Sequence, residues 1–253
     1  MHSVDELFGV VVREQDDDAR WSAIQALHAL GTREVFERAV QLCRAQATGE
    51  RIAGADILGQ LHAFDDAMNT LVSMLEDGDA KVVESAVHAL GQRQDARTIE
   101  ALARVATHTA SNVRWAVATA LEDLIGDERA ERVLLSLMRD SDTSVRDRAT
   151  FAVGSLSDHD TPRIRAALVE RLNDEDRCVA NEAALGLARR RDARAIPYLA
   201  IAVESLNGEE LDEAVDEITS PDMLTELVKA RDTMGEARGL VTLIERCRAR
   251  VEM

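Results

Sequence analysis

The sequence predicts an all-α chain, an α-solenoid of about seven helical hairpins with a capping helix at each end. Three observations predict it. A pattern of small and apolar residues recurs every 31 to 34 positions, the composition favours helix over strand, and short Asp-rich turns punctuate the pattern. Self-similarity at such a period marks a repeat architecture, in which each unit buries its apolar face only against its neighbours.

The register is set by Leu27, Leu58, Leu90, Leu121, Val153, Leu187 and Ile218, with separations of 31, 32, 31, 32, 34 and 31 residues. Four positions before each stand Ala23, Gly54, Ala86, Val117, Ala149, Ala183 and Ala214. Immediately before each stand Ala26, Ile57, Ala89, Ala120, Ala152, Gly186 and, as the polar exception, Glu217. Eight before lie Ala19, Glu50, Val82, Val113, Val145, Val179 and Glu210. Offsets of −8, −4, −1 and 0 fall on one helical face. Small residues on that face let neighbouring helices approach closely.

The elements follow in order. Ser3-Val4-Asp5-Glu6 has the pattern of a capping box and opens a helix over about 3–12. Repeats fill about 17–232. Within a repeat, the first helix ends at a polar turn such as Gln94-Asp95-Ala96-Arg97, Gly126-Asp127-Glu128-Arg129 or Arg191-Asp192-Ala193-Arg194. A second apolar stripe follows, for example Ile196, Leu199 and Val203. Pro197 sits in the opening turn of its helix, where a missing N–H costs least. Between repeats the turn recurs as Asp77-Gly78-Asp79, Asp140-Ser141-Asp142 and Asp174-Glu175-Asp176, with side chains suited to N-capping. A final amphipathic helix over about 234–251 carries Leu240, Leu243, Ile244 and Cys247, and a polar outer face there keeps an open end soluble. No linker or low-complexity segment interrupts 1–253, so a single elongated domain is expected.

Composition bounds the function. The 253 residues carry 47 acidic and 30 basic side chains, a formal net charge of −17, with 46% apolar and 3% aromatic residues. So acidic a surface repels phosphate backbones and anionic lipids and attracts basic partners, so neither nucleic acid nor a membrane is expected as a partner. Cys43, Cys178 and Cys247 are odd in number, widely spaced and lack a CxxC pair, as in a reducing compartment. Acids occupy the N-terminus where a signal peptide would be basic, and no apolar run approaches the roughly 18 residues that span a bilayer. A cytoplasmic location is expected.

Val113-Arg114, Ala116, Ala118 and Ala120-Leu121 resemble the first helix of bacterial HEAT-like repeats, the type also found in phycobilin lyase subunits. So do Val145-Arg146 with Ala149, Ala152 and Gly154, and Val82 with Ala86 and Ala89-Leu90-Gly91. Over about 112–227 the resemblance is to an enterobacterial member of this group. It implies a right-handed HEAT-like superhelix whose second helices line a concave surface. It also implies relatives that are encoded beside secreted toxins, some acting as immunity proteins. The Arg of the "V-R" step is absent at Val83 and Ala180, so any arginine ladder is interrupted.

Chemistry-bearing patterns are absent: there is no GxSxG, HExxH, GxxxxGK[ST] or GxGxxG. His28, His62 and His88 occupy different offsets, and no His-Glu dipeptide occurs, so no metal row forms. No catalytic residue, metal or cofactor is expected. Trp21 and Trp115 each stand six positions before their landmark Leu, off the buried stripe. They either pack between adjacent first helices or anchor an interface. Tyr198 and Ile201 lie off the core stripe of their second helix, a solvent-facing pair that is either plain surface or part of a partner-binding interface. From Ala195 through Val228 nine acids occur without one Lys or Arg, and Glu209, Glu213 and Glu217 share a helix face. That face is either simply solvated or awaits a basic partner. The leading reading is a non-catalytic protein-binding module, an immunity or inhibitor protein for a basic toxin in its sharper form. The alternative is an enzyme-associated protein such as a lyase-like subunit or a DNA glycosylase.

Overall fold

The computed structural model describes residues 3–13, 16–61, 65–202, 219, 221–234 and 238–251. Contacts gather into two compact units, Met1–Val133 and Leu134–Met253, and the division falls within α9 (Glu128–Leu137). Among the described residues every regular element is helical.

Unit 1 opens with α1 (Val4–Arg13), which buries Leu7, Phe8 and Val11. The capping box forms: the Ser3 N–H donates to Glu6 Oε2 at 2.8 Å and the Glu6 N–H to Ser3 Oγ at 3.2 Å. Hairpins follow, α2 (Asp17–Leu30) with α3 (Arg33–Leu42) and α4 (Thr48–Gln60) with α5 (Asp65–Met74). Next come α6 (Ala80–Gln92) with α7 (Ile99–Val105), then α8 (Ser111–Leu121) leading into α9. Unit 2 holds α10 (Thr143–Gly154) with α11 (Pro162–Arg171), and α12 (Arg177–Arg189) with α13 (Ile196–Ala202). It ends with α14 (Pro221–Met234) and α15 (Arg238–Val251). Met234 therefore closes α14, and the last helix begins at Arg238, four residues later than the sequence pattern places it. The chain is an all-α solenoid.

The landmark residues are the core. Leu27, Leu58, Leu90, Leu121, Val153 and Leu187 are fully buried, as are Val82, Val113, Val145 and Val179 eight positions earlier. Each such side chain contributes about 1.5–3 kcal/mol of burial. Ile218 and its neighbours Glu210, Ala214 and Glu217 lie outside the described residues.

First helices meet where the side chains are smallest. A Cβ added to Gly59 would lie 2.9 Å from the Cα of Ala89, and one on Gly91 would lie 2.8 Å from that of Ala120. One on Gly186 would lie 2.6 Å from the Cα of Gly154. In register terms, the position after one landmark touches the position before the next. The same contact recurs at these three crossings, two in unit 1 and one in unit 2, and there it admits no larger residue, whereas the α2–α4 crossing carries His28 and Ile57 at the equivalent positions.

The turns between repeats form one construction. The first Asp accepts the N–H two residues on, Asp77 from Asp79 at 2.9 Å, Asp140 from Asp142 at 2.8 Å and Asp174 from Asp176 at 3.1 Å. The second Asp caps the next first helix. Arginine then ties turn to turn. Arg51, Arg114 and Arg146 each donate to the carbonyls five and six residues before them. Arg51 also grips Asp77 through two bonds of 2.8 and 3.0 Å, and Arg146 grips Asp174 through two of 3.0 Å. Where this position is Val83 or Ala180 the side chain is simply buried, so the ladder is interrupted as the sequence implies. The first-repeat equivalent, Arg20, instead reaches Asp56 at 2.6 Å.

Four residues after their landmarks, Gly31, Gln94 and Arg191 all adopt positive φ, of 55°, 48° and 53°. Glycine fits this left-handed helix end without strain, whereas Gln94 and Arg191 hold it against their own preference.

Two measurements test this packing. Gly186→Val forces two backbones apart and is expected to cost about 3 kcal/mol in chemical denaturation. Gly126→Ala, whose Cβ would meet nothing within 4 Å, is expected to stay within about 0.5 kcal/mol of the parent. Burial would raise the Asp174 carboxyl, but hydrogen bonds from Arg146 and the Asp176 N–H, with the charges of Arg146 and Arg171, hold it below the usual range. A depressed folded pKa stabilises above the unfolded value near ~4, and that stabilisation is lost as pH falls through the folded pKa. Asp174→Asn, which leaves buried Arg146 without its main partner, is expected to cost about 3 kcal/mol at pH 7 and to shrink the acid-induced loss of stability below about pH 4.

Candidate functional site

Unit 1 carries a built face on its first helices. Trp21 on α2 and Trp115 on α8 occupy the same register position and remain 43% and 36% exposed. The Asp16 side chain caps α2, accepting from the N–H groups of Asp18 and Ala19, and so fixes the turn that presents Trp21. Trp115 meets the edge of the His88 ring on α6, with centroids 6.2 Å apart at 61°. It therefore rests on the neighbouring first helix while part of the indole stays open.

A polar network links the helices of this face. Asp56 on α4 accepts from Arg20 Nη2 at 2.6 Å and from Ser85 Oγ at 2.7 Å, joining α2, α4 and α6. Burial pushes the Asp56 carboxyl up, against the opposing hydrogen bond from Ser85 and the charges of Arg20 and His88. Such a network fixes the relative rotation of helices that apolar contact alone leaves freer.

Unit 2 places its candidates differently. Ile201 on α13 is 74% exposed. Tyr198, one turn earlier, is half-buried, and its hydroxyl donates to Asn181 Oδ1 on α12 at 2.7 Å. Only part of that ring faces solvent, because the hydroxyl is tied to the first helix of its own hairpin. The structure brings Tyr198 and Ile201 onto one short helix. Glu209, Glu213 and Glu217 lie outside the described residues.

One functional candidate escaped the sequence reading. The 155–161 connection between α10 and α11 exposes Leu156 to 52%. It adjoins a cleft of about 360 Å³ lined by Ser157, Asp158, Asp160 and Arg189 to Arg191. Its signal was the separation of 34 between Val153 and Leu187, against 31 or 32 elsewhere.

The thiols are not poised for nucleophilic chemistry. Burial pushes Cys43 up to about 12 and raises Cys247. Exposed Cys178 is raised by desolvation and by the charges of Asp176, Asp147 and Glu182. A thiolate is the reactive form, and these surroundings oppose it. Among the described residues no cluster of His, Cys, Asp and Glu has the arrangement to hold a metal ion, and no helix is long and apolar enough to cross a membrane.

Comparison with known proteins agrees with the register. Residues 68–154 and 131–218 match HEAT repeats. Protein YibA of Escherichia coli strain K12 is 30% identical over 206 residues, spanning 77% of this chain and 72% of YibA. The alignment is longer than the stretch of about 112–227 on which the resemblance rests in the sequence. The X-ray structure of the E. coli protein superposes with a TM-score of 0.74 at 25% identity, covering 98% of this chain and 93% of that one. A crystal structure of importin beta shares the fold alone, with a TM-score of 0.66 at 12% identity over 96% of this chain and 42% of its own. The chain belongs to the HEAT-repeat family and is a relative of YibA.

Proposed function

We propose that this chain is a non-catalytic binding module that recognises another protein, and that its partner is basic. The observation that carries the reading is the pair Trp21 and Trp115. These are the chain's only tryptophans, set at one register position on first helices and left 43% and 36% exposed. Burying an exposed indole against a partner releases more free energy than burying almost any other side chain, which is why Trp is enriched at interface hot spots. Nothing in the repeat itself requires Trp there: Ile52 and Glu84 hold the equivalent positions in the intervening repeats.

The charge supplies the partner's chemistry. A net charge of −17, with nine acids and no base from Ala195 through Val228, favours a cationic surface and speeds its encounter. In its sharper form the reading is an inhibitor that covers a basic toxin, such as a nuclease, as an immunity protein does. The thiol environments give no support to covalent catalysis.

The test is recovery of the partner from the native host, followed by binding measurements with purified components. Trp21→Ala and Trp115→Ala are each expected to weaken the complex at least about tenfold. The association rate is expected to fall about tenfold or more between low and high salt. A partner that binds both variants at full strength, or whose association ignores salt, contradicts the reading. If the partner is an active nuclease that stays active in the complex, the inhibitor form is wrong while binding stands.

A further inference from the structure

We infer that the turn joining α7 to α8 in unit 1 is an acid-sensitive joint: a proton on His108 releases the first turn of α8 and with it the seat of Trp115, so that acid weakens the partner contact made there. The link to a partner rests on the protein-binding reading; the joint itself does not.

Three turns between repeats place an Asp where its carboxylate accepts the N–H two residues on, at Asp77, Asp140 and Asp174. At the equivalent place before α8 stands His108, and its ring takes the same role: the Ala110 N–H donates to Nδ1 at 3.1 Å. A carboxylate accepts at any pH above about 4, whereas an imidazole nitrogen accepts only while it carries no proton. Imidazoles change charge between about pH 5 and 8. Once protonated, Nδ1 is a donor facing a donor, and the bond is lost. What it contributes is therefore present on the alkaline side and disappears as pH falls.

The start of α8 is also the most weakly held of the first-helix starts. Asp16, Asp79, Asp142 and Asp176 cap α2, α6, α10 and α12 through their side chains, while Ala110 offers α8 no such cap. The opening backbone bond of α8, from the Arg114 N–H to the Ala110 carbonyl, spans 3.5 Å, against 2.9 to 3.2 Å for the same bond in the other five first helices. α4 likewise begins at an alanine, Ala47, but its opening bond is 3.2 Å and Arg51 anchors its turn to Asp77. Trp115 follows Arg114 directly, so loosening Ser111–Arg114 disturbs the indole where it rests on the His88 ring.

The charges about the joint come from three elements. Arg114 of α8 donates to the His108 and Thr109 carbonyls at 2.8 and 3.1 Å, and Arg104 stands one turn back on α7. The turn one repeat earlier carries Glu76, Asp77 and Asp79, with Asp77 held by Arg51 and Asp79 accepting from Thr48 Oγ1 and the Lys81 N–H. Among the described residues no carboxylate pairs with the His108 ring, so a proton there gains no ion pair to offset the lost bond.

The test uses the free, full chain labelled for NMR. Amide exchange at Ser111, Asn112 and Val113, taken relative to each residue's intrinsic rate, is measured at about pH 7.5 and about pH 5.5 in the parent chain, His108→Asp and His108→Asn. Both variants keep an oxygen that accepts throughout this range. His88 is present in all three chains, so a difference between them belongs to position 108. We expect protection in the parent chain to fall about fivefold on acidification, with a shift of the Trp115 indole signal, and neither change in the variants. Equal protection at both pH values in the parent chain, or the same loss in both variants, overturns the joint. With the recovered partner, the parent chain should bind about fivefold more weakly at the lower pH and His108→Asn about equally at both. Protection that falls while the parent's affinity does not overturns the link between joint and contact. A partner indifferent to Trp115→Ala overturns the reading of Trp115 as an anchor and leaves the joint standing.

Discussion

The close crossing of successive first helices is the constraint on which the rest of this structure depends. At Gly59 with Ala89, Gly91 with Ala120 and Gly154 with Gly186, backbones approach until one added methyl group would collide. That contact fixes the step from one hairpin to the next, and the step fixes everything that must be repeated. Landmark leucines then bury completely, the −8 valines close the other end of the same face, and the Asp-x-Asp turns arrive where an arginine can reach across. Larger residues at the crossing would widen the step, and each of these secondary contacts would lose its partner together.

Arginine is the second principle of construction. The chain has only two lysines, and its arginines are used mainly as forked donors to backbone carbonyls and carboxylates. A planar guanidinium can satisfy several helix-end carbonyls at once, which an ammonium cannot do in fixed geometry. Arg93 and Arg190 show this at one register position: each donates to carbonyls at the end of the preceding first helix, Leu58 and Leu61 in one case and Val153 and Ser157 in the other. Most cations are thereby spent on the scaffold, leaving the surface to carboxylates. The Asp127 carboxyl, held down to about 2 by hydrogen bonds from Arg129, shows how strongly such local pairs keep acids ionised.

The repeating part of the fold was legible in the sequence because it is translational: the six landmarks among the described residues, their small neighbours and the Asp turns carry the same information several times over. The capping box at Ser3 and Glu6 was legible for another reason, being entirely local. What escaped depends on geometry that only assembled hairpins create. Gln94 and Arg191 give no hint of the left-handed conformation that Gly31 announces, because the structure imposes it on residues that do not prefer it. Offset alone set Tyr198 off the core stripe, and no local pattern shows that its hydroxyl donates to Asn181, 17 residues away on another helix. Of the candidate site, the two tryptophans could be placed by offset alone. Leu156 left only the trace of a longer spacing, since nothing in a string of residues reveals that three arginines hold its loop.

Amide hydrogen exchange on the free protein, followed across a series of low denaturant concentrations, tests the central claim most directly. If the first-helix crossings carry the stability of each unit, amides around Ile57 to Gly59, Ala89 to Gly91 and Gly186 to Ala188 exchange last, and only through openings whose free energy falls with denaturant as steeply as unfolding of the whole unit. Exchange at those amides through small local fluctuations, indifferent to denaturant and ahead of the second helices, would contradict it.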